Sequence, residues 1–302
     1  MAAVKLEVLK TKHLFPCMKF VWLMVMTLLV RDGSADQPWR TISPDVVYGH
    51  KDGLALTYDV VTPTDDGKGK AVLFMVSGGW VSRWQPPEAV VRSRLPEKRN
   101  LFEKLVKQGY TLILVRHGSS PRYKVPDAVK DVRLAVKHVK FNAEKLGIDP
   151  DSIGVCGGSA GGHLSLMLGT TGTDGIKQPS SVLTAGSRVK AVVAYFPPTF
   201  LKKYMEDPNF VRNFPALDFG IEKADQVSPL FKVTADDAPT LLIHGDQDKL
   251  VPLIHSEKIH KAFEKTGVQH KLIVIKGAAH GFGGADGQRA ETALLRWFDE
   301  NL

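Results

Sequence analysis

Cysteine is nearly absent: Cys17 and Cys156 are the two among 302 residues, so no disulfide framework holds this chain. Cys17 also precedes the N-terminal apolar run, and so cannot be a lipid-bearing cysteine that follows such a run. That run, residues 20–30, is 11 residues long, well short of the ~20 that a bilayer-spanning helix needs. There is no arginine-rich stretch and no stripe of basic and aromatic residues. Lysines and arginines are scattered among acids, which excludes the footprint of a nucleic-acid binder despite a formal charge of +8. No internal repeat and no low-complexity segment occur. What remains is an ordinary globular composition, 43% hydrophobic and 24% charged, in a chain long enough to bury a large core.

The N-terminus is set apart. Lys5, Lys10, Lys12 and Lys19 precede the apolar run, and Arg31-Asp32-Gly33-Ser34-Ala35 follows it. A basic start, a short apolar core and small residues at Gly33 and Ala35 mark residues 1–35 as a signal peptide, cut before Asp36. Met18 offers a second start, because Met18-Lys19 followed by the run is itself a compact signal. Either start predicts export, to the periplasm or the medium, with no stable membrane span after cleavage. Residues 1–35 hold five Lys/Arg against two acids, a net of +3 that leaves +5 on the processed chain.

Residues 36–302 alternate β-type and helical patterns, the arrangement of a mostly parallel sheet with helices on both faces. Residues 46–50 and 54–61 predict an opening hairpin through Lys51-Asp52-Gly53. Residues 71–76 are a continuous apolar run suited to a central strand, and 110–116 to a second. Val129, Val132, Val136, Val139, Ala143 and Leu146 recur at helical spacing and predict one long amphipathic helix closed by Gly147. Strands follow at 153–156, 189–195, 239–244 and 271–275, with helices after Ser159, near 256–266 and over 289–302. Between residues 197 and 238 proline, phenylalanine and charge are scattered, which reads as a small cap inserted into one α/β domain.

Gly157-Gly158-Ser159-Ala160-Gly161 fits G-x-S-x-G, with a strand before and a helix after. A sharp turn there would lift the serine hydroxyl above the sheet, and bulky neighbours would clash. The partners of such a nucleophile follow as acid and then histidine. Asp246 and Asp248 leave the strand at 239–244, and His280 lies just past the strand at 271–275. Both positions sit at the C-terminal ends of strands, where open α/β sheets build their sites. Asp246 directly follows Gly245, and its alternative role is to tie a turn through its own backbone. The oxyanion donors would be the N–H of Ala160 and one from Ser77-Gly78-Gly79-Trp80, with Gly79 named first and Gly78 second. Trp80 and Trp84 are candidates to line the substrate cleft, with aromatic core packing as the equal alternative. His163, one turn into the helix, is read as packing or binding backbone. His255 and His260 are five apart, not on one helix face, so no metal pair is expected. Cys156 reads as a small buried apolar residue.

These stretches, with Gly147-Ile148-Asp149-Pro150 and the segments around residues 244–252 and 277–282, resemble the hormone-sensitive-lipase and bifunctional feruloyl/acetyl-xylan esterase branch of the α/β-hydrolases. The resemblance runs from Val46 to the C-terminus. It implies an α/β-hydrolase fold and a serine carboxylic-ester hydrolase acting on short-chain or carbohydrate-linked acyl esters, without a cofactor. In that family the second aspartate of G-D-x-D is the acid, which favours Asp248. The chain departs from the pattern twice: Val76-Ser77-Gly78-Gly79 stands for the usual His-Gly-Gly-Gly, and Arg116-His117-Gly118-Ser119 for an Asn-Tyr-Arg type stretch. Two other readings share the scaffold. A prolyl-oligopeptidase-like peptidase uses the same triad, but no propeller repeat screens peptides here. A non-catalytic binding protein would usually have a broken triad, whereas every member is present. Edman sequencing of the exported protein is expected to begin at Asp36; Met1 or Ala2 at that position overturns the signal-peptide reading.

Overall fold

The computed structural model describes residues 39–64, 67, 69–92 and 100–302. The signal peptide expected over residues 1–35 lies outside the described residues. One sheet holds β1 (Trp39–Lys51), β2 (Leu54–Pro63), β3 (Ala71–Met75), β4 (Thr111–Val115), β5 (Ile153–Gly158), β6 (Ala191–Tyr195), β7 (Thr240–Gly245) and β8 (His270–Ile275). The spatial order is β1-β2-β4-β3-β5-β6-β7-β8. β1 and β2 form the expected hairpin, and β2 lies antiparallel to β4. The other neighbouring pairs are parallel.

Residue alternation builds the two faces. Leu73, Met75, Ile113, Val115 and Val155 point to one face, packed against Val132, Leu164 and Phe263. Those partners come from helices Val125–Phe141, Ala160–Thr170 and Ile254–Thr266. Val72, Leu112, Leu114, Val193 and Ile243 point to the other face, against Leu105, Leu294 and Phe298 of helices Leu101–Lys107 and Gly284–Asn301. All five residues of β4 are buried, as a strand covered on both sides requires. Each fully buried Leu, Ile or Phe contributes about 1.5–3 kcal/mol. This is the α/β-hydrolase fold. Among the described residues no helix is long and apolar enough to cross a membrane.

Three boundaries differ from the sequence reading. The hairpin's first strand begins at Trp39, seven residues before position 46. The long helix breaks at Asn142 into Val125–Phe141 and Ala143–Leu146, where the Asn142 side-chain amide and its backbone N–H both donate to the His138 carbonyl, at 2.8 and 3.1 Å. Gly147, at φ +66°, closes the second piece. The last helix starts at Gly284 instead of Arg289. Between β6 and β7 the chain forms helices Lys202–Met205 and Pro208–Asn213 and three short 3₁₀ turns.

The sheet also buries charge. Asp59 on β2 is fully buried, and its carboxylate receives Arg116 Nη1 at 2.5 Å and Nη2 at 2.9 Å. The guanidinium also holds Asp45 and the Thr57 hydroxyl, at 2.9 Å each, so it is the loss of Arg116 that leaves the fully buried Asp59 carboxylate without its cation. Arg116→Ala is therefore expected to lower unfolding free energy by about 3–5 kcal/mol. Urea denaturation followed by circular dichroism checks this.

Candidate active site

The turn after β5 is set by steric exclusion. A Cβ on Gly157 would lie 2.6 Å from the Gly161 carbonyl carbon, and one on Gly161 would lie 2.6 Å from the Met75 carbonyl oxygen. Glycine at both ends lets β5 fold straight into the Ala160–Thr170 helix. Ser159 between them takes φ +53°, a region non-glycine residues rarely occupy. Its N–H donates to the Tyr195 carbonyl, and its own carbonyl accepts from His163 N–H, both at 2.9 Å. The backbone is held, and the hydroxyl stands clear.

His280, in the loop between β8 and the last helix, points Nε2 at Ser159 Oγ over 2.9 Å. Its Nδ1 lies 2.7 Å from Asp248 Oδ2. A carboxylate only accepts, so Nδ1 carries the hydrogen and Nε2 presents its lone pair to the serine hydroxyl. Asp248 has a fully buried side chain, yet its other oxygen accepts from the N–H groups of Leu250 and Val251 at 2.9 Å each. Those bonds compensate the burial of its charge.

The structure separates the two aspartates. Asp246 turns away, and its Oδ1 accepts from Gly277 N–H at 2.7 Å, tying the β7 loop to the loop after β8. Asp246 makes no contact with His280, and Asp248 does.

The oxyanion candidates divide as well. Ala160 opens the helix, so its N–H has no partner one turn back. Gly79 stands at φ +57° with no carbonyl on its N–H among the described residues. Gly78 is a correction: its N–H donates to the Val81 carbonyl at 3.0 Å within a small bridge, which occupies it as a donor.

The two tryptophans differ in burial, and the packing alternative describes Trp80. Trp80 is 4% exposed, and its indole N–H reaches His163 Nδ1 at 3.2 Å, so it packs under the loop. Trp84 is 52% exposed on a separate shallow cavity of about 300 Å³, beside Asp45, Ser82 and His117. The rings nearest these groups are Phe196, beside His280, and Phe214, beside Gly79. Phe196 lies 4.6 Å from the His280 ring, centroid to centroid. Phe214, from the segment between β6 and β7, comes within 3.0 Å of where a Gly79 Cβ would stand. Phe196 follows directly on β6, a strand-end position that sequence could have flagged; nothing in the sequence marks Phe214.

Other histidines are structural neighbours of the site. His163 Nε2 donates to the Val227 carbonyl at 2.7 Å, and burial pushes its pKa down to about 4. His255 accepts from Thr199 N–H at 3.1 Å, and burial pushes its pKa down to about 3. His260 stands edge-on to His270, away from His255's partners. His244 was not singled out in the sequence. Its Nε2 donates to the Val251 carbonyl at 2.7 Å and lies 3.4 Å from Asp248, four residues further on. Burial lowers its pKa and keeps it neutral against the carboxylate. Cys156 is buried in the sheet, and burial raises its thiol pKa.

Known proteins share this arrangement of chain. "Probable carboxylic ester hydrolase LipM" of Mycobacterium tuberculosis (strain ATCC 25618 / H37Rv) is 30% identical over 221 residues, 69% of this chain and 48% of that protein. This chain spans about half the length of that relative. A solved "truncated form of carbohydrate esterase from gut microbiota" superposes with TM-score 0.69 at 28% identity, covering 88% of this chain and 98% of that one. A butyrate-bound thermophilic esterase, Est2 of Thermogutta terrifontis, gives TM-score 0.67 at 25% identity, covering 88% and 95%. The resemblance drawn from the sequence motifs holds. The family match runs over residues 58–263, more than half of the chain and inclusive of Ser159 and Asp248, and the protein belongs to the BD-FAE family.

Proposed function

We propose that this protein is a serine carboxylic-ester hydrolase that works through an acyl-enzyme. The observation that carries the reading is the unbroken relay from buried Asp248 through His280 to Ser159, with links of 2.7 and 2.9 Å. His280 takes the Ser159 proton as the hydroxyl attacks an ester carbonyl, while Asp248 holds the imidazole in its tautomer and stabilises the imidazolium. The tetrahedral oxyanion is received by the N–H groups of Gly79 and Ala160; a donor of this kind is typically worth about 2.7–4 kcal/mol. His280 then protonates the leaving alcohol and activates the water that releases the acid. Every proton in this scheme moves between groups of this chain and substrate or water, so the reaction needs no cofactor.

Short acyl groups fit best. The leaving alcohol must lie beside His280, which protonates it, so the acyl chain extends away from that ring, toward the oxyanion loop. There Phe214 closes on Gly79, backed by Phe210 at 4.8 Å and then Tyr204 at 4.4 Å, ring to ring. Tyr204 is fixed in turn by its hydroxyl bond to His255 at 2.8 Å. In this reading the column is the wall that limits acyl length. Carbohydrate-linked acyl esters are the natural class proposed, supported by the carbohydrate esterase among the structural neighbours. Export, to the periplasm or the medium, rests on the basic and apolar leader.

Hydrolysis of p-nitrophenyl acetate and butyrate by the protein beginning at Asp36 is expected to fall by roughly 10⁴-fold or more in Ser159→Ala. Asp248→Asn is expected to fall by about 10⁴-fold through loss of the tautomer, and Asp246→Asn to retain most activity. Equal rates for wild type and Ser159→Ala overturn the reading. Phe214→Ala is expected to raise kcat/KM for the hexanoate ester relative to the acetate by roughly tenfold, as removal of a steric wall does. An unchanged chain-length profile removes Phe214 from the acyl pocket.

A further inference from the structure

The chain's two departures from the family pattern meet in space. His117, in the stretch after β4, has Nε2 2.8 Å from Ser77 Oγ, in the loop after β3. Its Nδ1 lies 2.8 Å from the Gly118 carbonyl. A carbonyl only accepts, so the hydrogen is on Nδ1, and Nε2 is left to accept the Ser77 hydroxyl. The imidazole is buried, and burial lowers its pKa, which keeps this neutral form.

The loop that Ser77 opens cannot hold its shape unaided. Gly79 and Trp80 follow each other at φ +57° and +58°. Glycine adopts that region freely, but a bulky tryptophan there is strained and persists only when its surroundings enforce it. Enforcement comes from both sides. Trp80 is bonded to His163 beneath the loop. On the other side stands the segment 116–120, and each of its residues is itself tied down. The Arg116 side chain is held by Asp59 and its carbonyl by the Tyr48 hydroxyl at 2.5 Å. Gly118 N–H donates to Asp131 at 2.9 Å. Ser119 Oγ exchanges bonds with the backbone of Ser82 at 2.8 and 3.0 Å. Ser120 N–H donates to the Trp80 carbonyl at 3.2 Å. The segment is a rigid splint along the loop, and His117 reaches from it to the residue two before Gly79.

We propose that His117 is a positioning residue for the oxyanion hole: through Ser77 it holds the Gly79 N–H where negative charge develops. The inference rests on the ester-hydrolase reading. His117 touches no reacting atom. It acts on the transition state by keeping one donor within hydrogen-bond reach, and leaves ground-state binding unaffected.

The test is steady-state hydrolysis of p-nitrophenyl butyrate by wild type, Ser77→Ala, His117→Ala, His117→Gln and the Ser77→Ala/His117→Ala double variant. A misplaced donor should lower kcat by roughly 10- to 100-fold, with KM within about twofold, the pattern of an interaction made only in the transition state. The double variant should be no slower than the slower single one, because both remove the same link. His117→Gln, which keeps an acceptor, should recover part of the loss. Ser77→Ala deletes one half-buried hydroxyl and keeps the test usable should His117→Ala fail to fold. Unchanged kcat in Ser77→Ala, or losses that multiply in the double variant, overturn the proposal. The rate at which diisopropyl fluorophosphate labels Ser159, followed by intact mass, gives a second reading, since its phosphoryl oxygen also enters the oxyanion hole. A wild type inert to both reagents overturns the ester-hydrolase reading and this proposal with it, whereas an active wild type with unaffected variants overturns this proposal alone.

Discussion

Ser159 sits at φ +53°, and the site is arranged around keeping it there. A non-glycine residue in that region costs on the order of 1–3 kcal/mol, and it persists only where the fold over-determines it. Here the determination is steric. Gly157 and Gly161 are pressed to within a Cβ's reach of each other and of the Met75 carbonyl, so β3, β5 and the helix after Ser159 have no slack. The same turn yields two functional groups together. It projects the hydroxyl above the sheet, and it starts a helix whose first N–H, that of Ala160, has no internal acceptor. The serine hydroxyl and a helix-opening N–H thus come from a single backbone event.

Around that turn the polar groups are buried but paired, and several pairings fix a tautomer. His163 must accept from Trp80 and donate to Val227. His244 must donate to Val251 and accept from Ser256. His280 must donate to Asp248 and accept from Ser159. Burial lowers the pKa of the first two, and the neutral forms are the ones the bonding requires. Hydrogen-bond direction is therefore built into the scaffold, which suits a site that relies on preorganised donors.

Strand and helix order and the Ser159, Asp248, His280 set were legible in the sequence because each rests on local pattern: apolar runs, helical spacing, a glycine-flanked serine, polar residues at strand ends. The choice between Asp246 and Asp248 was open to residue-level reading and needed the family pattern, since both aspartates satisfy the local rule and differ only in which loop they face. Gly78 was misread because a glycine looks the same whether its N–H is free or bridged to Val81. Lining and packing stayed equal alternatives for Trp80 and Trp84 because an aromatic side chain carries no mark of the direction it points. The early end of the long helix was missed because the Asn142 side-chain bond to the His138 carbonyl is a polar contact that apolar periodicity does not register.

The groups that would set chemistry and those that would set specificity have different origins in this fold. Ser159 and Ala160, Asp248, His280 and Gly79 lie in the turns and loops that directly follow β5, β7, β8 and β3. Phe214, which closes on Gly79, comes from the segment between β6 and β7, held by a column of stacked rings and not by the sheet. Changing one ring in such a column alters the depth of the site without disturbing a strand. At 25–28% identity the two solved esterases still superpose over 88% of this chain. Under the proposed ester-hydrolase function, acyl-length preference rests on Phe214, Phe210 and Tyr204, and reaction class on the turn at Ser159.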